Sequence, residues 1–229
     1  EASGIEILKD LGINDAVNIL DPTLLMDQNF WAKYTPEWKI EGDYVLIYQL
    51  YSNREFDDYA AKVAKQLHCK LIRFCTRYDQ LIKKGHGFLA PNVEDFLSAI
   101  KYARLLITDS FHGTAFAVNL NTQFVSYIPK FGGRIYNLLN IIHHPERAIT
   151  DFDSYEIVNK SIDFEPVNKI LDQERDKADQ YIDKMITVSK AKIEKNKTHG
   201  ENNWSLYGVH SLCPCLSREV YHYGGGCRR

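Results

Sequence analysis

The sequence lacks several features that would place it in a specialised class of protein. Its 28 basic and 30 acidic residues leave a formal net charge of -2, so it carries no electrostatic footprint for nucleic acid, and we predict no such partner. No apolar run approaches the roughly 18–20 residues that a membrane-spanning helix needs. Neither a G-x-G-x-x-G fingerprint nor a Walker A pattern occurs, and we therefore predict no bound cofactor.

Cysteine is also scarce, with five in 229 residues. Cys69 and Cys75 flank an apolar segment and are expected to be reduced thiols in or near the core. Cys213 and Cys215 have neither the spacing nor the accompanying histidines and cysteines of a zinc site. The cysteines therefore predict no metal site, and they favour a cytoplasmic protein.

What the sequence does contain, from residue 44 onward, is a regular alternation of strands and helices. Apolar strands are predicted at residues 44–50, 70–75, 105–107 and 123–128, with amphipathic helices between them at 54–67 and 92–103. Residues 76–90 are expected to form a loop with one short helical turn, and Val17–Leu20 a short upstream strand. Strands that are apolar throughout suit a parallel sheet covered on both faces, so the chain is predicted to be α/β and Rossmann-like.

Reactive side chains concentrate where the strand at 105–107 passes into an apolar helix. Asp109, Ser110 and His112 follow that strand within five residues. In an open α/β sheet, ligands bind at the carboxyl ends of strands, beside helix N-termini. Two interpretations are open at this point: these residues bind an anionic substrate, or Asp109 or Ser110 caps the helix while His112 is an ordinary helix residue.

The stretch from Ile107 to Thr114, Ile-Thr-Asp-Ser-Phe-His-Gly-Thr, resembles the signature of the polysaccharide pyruvyl transferase family. Glu1–Leu8 and Leu20–Leu25 support the resemblance, which extends to about Ser189. It implies two Rossmann-like domains facing across a cleft, as in GT-B glycosyltransferases. Because the chain begins with Glu, we expect a piece of such a protein: the remnant of an N-terminal domain and a crossing segment at 1–43, a C-terminal domain with a long final helix at 44–195, and a linker with a foreign, disordered tail at 196–229.

The resemblance also implies a reaction, the transfer of the pyruvyl group of phosphoenolpyruvate to a sugar hydroxyl, which leaves a pyruvate ketal. His112 is the expected general acid or phosphoenolpyruvate contact, because an imidazole can hold a proton near neutral pH. Asp109 would orient His112 or bind a sugar hydroxyl. Some family members carry an arginine two residues before the motif histidine, and Ser110 stands there in this chain.

Three further side chains are candidates for binding the substrate. Arg134 follows two glycines after the last predicted strand, and its guanidinium fork suits a carboxylate or a phosphate. Ser110 and Thr114 would add hydrogen bonds to the phosphate. Each has a structural alternative, since Ser110 and Thr114 can cap or pack the helix, and Arg134 can lie on the surface or cap a helix.

Two other functions remain open at this stage. A GT-B-like glycosyltransferase would use a nucleotide sugar, for whose ribose Glu146 is the only acidic candidate nearby. A non-catalytic binding module would not bring Asp109, His112 and Arg134 together. For the pyruvyl transferase, the expected acceptor is a surface polysaccharide or its lipid-linked oligosaccharide precursor, which would bring a cytoplasmic protein to the inner face of the membrane as a peripheral partner.

Overall fold

A parallel sheet forms the centre of the chain in the computed structural model, which describes residues 2–37, 40–89, 92–128 and 132–198. The strands are β1 (Tyr44–Tyr48), β2 (Lys70–Cys75), β3 (His86–Leu89), β4 (Leu105–Thr108), β5 (Phe124–Tyr127) and β6 (Ala148–Ile149). Within the described residues they form one six-stranded sheet in the order β3-β2-β1-β4-β5-β6, with every neighbouring pair parallel. This order confirms the predicted Rossmann-like α/β class.

Helices connect and cover these strands. They are α1 (Ala2–Asp10), α2 (Pro22–Leu25), α3 (Gln28–Ala32), α4 (Arg54–Gln66), α5 (Val93–Lys101), α6 (Phe111–Asn119), α7 (Gly133–Ile141) and α8 (Phe164–Thr198). Three short 3₁₀ segments lie at Tyr78–Gln80, Pro145–Arg147 and Glu156–Asn159. None of the helices in the described part of the chain is long and apolar enough to cross a membrane.

Two local predictions are wrong. The predicted loop at 76–90 contains β3, whose Gly87 fits the sheet because a Cβ there would lie 3.2 Å from Cys75 Sγ and 3.2 Å from Leu81 Cα. Val17–Leu20 forms no strand in the described structure. Upstream of the sheet, Asp21 is the N-cap of α2, and Pro22 lies in its first turn, where the missing N–H of proline leaves no hydrogen bond unmade.

Each face of the sheet packs against its own apolar cluster, as the pleat of a strand requires. Leu46 and Leu106 point to one face and pack with residues of α5, α6 and α7, and with Leu20 and Leu24 from the segment before β1. Val45, Ile47 and Ile107 point to the other face and pack against α4. Leu20 and Leu24 therefore belong to the core on the face of the sheet that α6 covers.

By its internal contacts the chain divides into two compact units, Glu1–Tyr181 and Ile182–Arg229. In the first unit, α8 contributes Val167, Leu171 and Ala178 as fully buried side chains. Their spacing of four and seven residues places them on one face of a helix. The predicted division into a remnant at 1–43 and a domain at 44–195 stays a prediction, and from residue 199 on the predicted tail lies outside the described residues.

Candidate functional site

The elbow between β4 and α6 is held together by its own hydroxyl groups. Thr108 Oγ1 donates to the carbonyl oxygen of Tyr48 at 2.7 Å and accepts from the backbone N–H of Ser110 at 3.0 Å. Ser110 is the N-cap of α6, because its Oγ accepts from the Gly113 N–H at 3.2 Å. These bonds tie β4 to β1 and fix where the helix begins.

Asp109 ties the same elbow to the loop that follows β1. Its two carboxylate oxygens accept from the backbone N–H groups of Leu50, at 2.6 Å, and Tyr51, at 3.0 Å. The residue is 7% exposed. Burial raises the pKa of its carboxyl group, while these two hydrogen bonds and the charge of Arg77 act in the opposite direction. Its hydrogen bonds within the described structure go to this loop and not to His112.

Thr114 lies inside the protein rather than at the sheet edge. Its Oγ1 donates to the carbonyl oxygen of Ser110 at 3.0 Å and lies 2.7 Å from the Oγ of Ser126 on β5. Both Thr114 and Ser110 are buried. Ser110 and Thr114, the two predicted phosphate contacts, therefore form hydrogen bonds that connect α6 with β4 and β5.

His112 and Arg134, by contrast, come together around the ring of Phe111. His112 is exposed on the first turn of α6, and its ring centroid lies 5.4 Å from that of Phe111. Arg134, on the first turn of α7, places its guanidinium carbon 3.9 Å from the centroid of the Phe111 ring. A guanidinium stacks on an aromatic face through cation–π attraction. One aromatic side chain therefore contacts both an imidazole and a guanidinium at the carboxyl edge of the sheet.

Asp21 is a member of this group that we do not predict from the sequence. Its Oδ2 accepts from Arg134 Nη2 at 2.7 Å, and its Oδ1 accepts from the backbone N–H and the hydroxyl of Thr23 at 3.0 and 2.7 Å. Burial raises the pKa of Asp21, but the Thr23 hydrogen bonds and the charges of Arg134 and His112 outweigh it and lower the pKa. Asp-Pro-Thr is a local sequence signal for a helix cap. The pairing of Asp21 with Arg134 spans 113 residues, and no local sequence pattern indicates it.

A pocket of about 220 Å³ opens beside the Asp21–Arg134 pair. Apolar and polar residues from the segment before α2, from α2 and from α7 surround it together with Phe111: Asn18, Ile19, Leu20, Asp21, Leu24, Arg134, Asn137, Leu138 and Ile141. An apolar lining with a few convergent polar groups is typical of a small-molecule site. The described residues contain no group of three or more His, Cys, Asp and Glu side chains that could hold a metal ion.

A comparison with family models matches the part of the chain that contains most of the sheet. A family model described as polysaccharide pyruvyl transferase matches residues 1–130, which is more than half of the 229 residues. The matched part includes Asp21 and the elbow with His112, whereas Arg134 lies four residues beyond its end. A comparison with curated proteins gives no match. Since the matched part spans most of the sheet and the elbow, the chain belongs to the polysaccharide pyruvyl transferase family.

Proposed function

We propose that the chain transfers the pyruvyl unit of phosphoenolpyruvate to a sugar, with His112 and Arg134 at the donor. Family membership gives the general kind of reaction, the transfer of a pyruvyl group. The observation that carries the proposal is the approach of His112 and Arg134 to the same ring, Phe111. An imidazole to move a proton and a guanidinium to hold an anion are what such a donor requires.

The proposed reaction assigns a separate task to each of these two side chains. His112 delivers a proton to the terminal carbon of the enolpyruvyl unit, which makes the neighbouring carbon electrophilic. A sugar hydroxyl adds to that carbon and gives its proton back to His112, and a second hydroxyl then displaces the phosphate, which leaves with the proton of that hydroxyl as the ketal closes. Arg134 binds the carboxylate or the phosphate through its fork, and the first turn of α6 adds the positive end of the helix dipole.

In this proposal Asp109, Ser110 and Thr114 build the elbow instead of contacting the substrate. All three are buried, and their hydrogen bonds go to the chain itself. They position His112 by fixing the start of α6. The acceptor in the proposal is a sugar of a surface polysaccharide or of its lipid-linked oligosaccharide precursor.

The two alternative functions have less support. A nucleotide-sugar donor would need an acid for the ribose, but Glu146 lies 2.7 Å from His144 Nδ1 and forms an ion pair with it when the imidazole is protonated. A non-catalytic module would leave the candidate residues apart. His112 and Arg134 instead meet at Phe111, and the charges of both act on Asp21, although Asp109 belongs to a different set of contacts.

Calorimetric titration with phosphoenolpyruvate tests the proposal, using the protein in its full natural length. We expect saturable binding that His112→Ala weakens by about tenfold or more, with loss of transfer by roughly 10²–10⁴ because a general acid is removed. His86→Ala is the matched control, since His86 is an exposed histidine at the amino end of β3. A folded wild-type protein that does not bind phosphoenolpyruvate, or equal binding and transfer by His112→Ala, would refute the proposal.

A further inference from the structure

We propose that Asp21 is a positioning residue of the donor site, which holds the Arg134 guanidinium in the orientation that receives the anion. This inference rests on the proposed function. The residue comes from α2, whereas His112 and Arg134 come from α6 and α7. The donor site would therefore depend on a segment that precedes the first strand of the sheet.

Arg134 needs contacts that fix the orientation of its side chain. Its side chain is 47% exposed, and an exposed arginine samples many rotamers unless contacts select one. Among the contacts that restrict Arg134, the face of Phe111 lies 3.9 Å from the guanidinium carbon, and Asp21 Oδ2 lies 2.7 Å from Nη2. The ring and the carboxylate together restrict the guanidinium more than either contact would alone.

The Asp21 side chain is itself held in one orientation. Its Oδ1 accepts both the backbone N–H and the hydroxyl of Thr23, so the two oxygens have different partners and only Oδ2 serves Arg134. Pro22 follows directly and restricts the backbone of Asp21 to extended conformations, in agreement with its ψ of 142°. A rigid carboxylate orients its cation better than a mobile one does, which reduces the entropy lost when a ligand binds.

The charge of Asp21 and its positioning of Arg134 have opposite expected effects on the affinity for phosphoenolpyruvate. The pKa of Asp21 is below its usual value, so the group is negatively charged at neutral pH. A negative charge beside an anion site repels the anion, and on charge alone its removal should tighten phosphoenolpyruvate binding. Positioning predicts the opposite sign, because the released guanidinium must be ordered again when each anion binds.

Asp21→Asn isolates this role, since asparagine caps a helix as well as aspartate does but carries no charge for Arg134. We expect KM and Kd for phosphoenolpyruvate to rise about tenfold while kcat changes much less, because a binding geometry is lost and the proton donor is not. Asp43→Asn is the matched control: Asp43 pairs with Arg104 at 3.4 Å, both exposed, at the amino end of β1. Asp21→Glu should recover part of the affinity.

A measurement that needs no substrate keeps the inference separate from the proposed function. We expect the Arg134 Nε–H signal in ¹⁵N NMR relaxation to show a well-ordered side chain in the wild type and in Asp43→Asn, and a mobile one in Asp21→Asn. Equal order in all three proteins would overturn the inference even if phosphoenolpyruvate binds. Unchanged or tighter phosphoenolpyruvate binding by a folded Asp21→Asn would overturn it as well.

If Asp21→Asn does not fold, Thr23→Ala provides the test. That substitution removes the hydroxyl bond to Oδ1 and keeps the backbone N–H bond and the charge of Asp21. We then expect a smaller loss of Arg134 order in the same direction, with weaker phosphoenolpyruvate binding. If the order of the Arg134 side chain is the same in Thr23→Ala as in the wild type, Asp21 does not position Arg134.

Discussion

Gly113 shows how little room the elbow leaves for a side chain. A Cβ at this position would lie 2.7 Å from Thr108 Oγ1 and 3.0 Å from Tyr48 Cδ1, within the hydrogen-bonded contact that joins β4 to β1. Gly113→Ala should therefore reduce the free energy of unfolding by about 1–3 kcal/mol, as overpacking does, measured by urea denaturation. Gly4→Ala is the control, since nothing lies within 4 Å of a Cβ in that helical position, and it should be neutral or stabilising. Equal effects would show that the elbow can relax.

At the same scale, the sequence determines local contacts well and distant ones poorly. The capping role of Ser110 follows from its place one residue before a helix. The partners of Asp109 are backbone amides 58 and 59 residues away, and no pattern in the sequence specifies which amides a buried carboxylate will meet. The same limit applies to Asp21 and Arg134. The place of these side chains in the order of strands and helices could therefore be predicted from the sequence, but their hydrogen-bond partners could not.

At the scale of elements, one buried arginine connects four segments. Arg73 of β2 donates to Asp57 of α4 at 2.6 Å, to Gln49 after β1 at 3.1 Å and to the carbonyl oxygen of Lys84 before β3 at 2.9 Å. Asp57→Ala should lower the free energy of unfolding by about 3–5 kcal/mol, because it leaves a buried charge without its counter-ion. Asp58→Ala, which removes the neighbouring aspartate with an exposed lysine partner, should change it far less, because water screens an ion pair on the surface. Chemical denaturation measures both, and a similar small loss in each would mean that Arg73 is satisfied by its neutral partners.

The strands that could not be predicted share a physical cause. β3 contains Gly87 and follows Gly85, and glycines normally indicate a turn. β6 has only two residues, too few for a pattern of alternation. Both strands lie at the edges of the sheet. Their strand conformation depends on pairing with a neighbouring strand, which their own sequence does not reveal. The central strands β1, β4 and β5 are predominantly apolar, and that pattern is sufficient to predict them.

For the molecule as a whole, α8 contributes buried side chains to the core of the unit that contains the sheet, Glu1–Tyr181. Leu171 is fully buried in the cluster with Leu20 and Leu24, whereas Met185 is 51% exposed. Leu171→Ala should cost about 2–5 kcal/mol, as a core cavity does, and lower the midpoint of thermal unfolding. Met185→Ala should change the free energy of unfolding by less than about 0.5 kcal/mol. Equal losses would indicate that the outer part of the helix is also covered in solution.

The contact between Asp109 and the loop after β1 has a consequence for ligand discrimination. In nucleotide-binding sheets of this strand order, backbone amides after the first strand receive a phosphate group. Here the amides of Leu50 and Tyr51 are already occupied by a carboxylate from the chain itself. Asp109 thus acts as a resident anion, and a nucleotide would have to displace it to bind there. The donor site proposed for His112 and Arg134 would lie on the other side of the elbow, towards α7, where no such internal anion would have to be displaced from the Leu50 and Tyr51 amides.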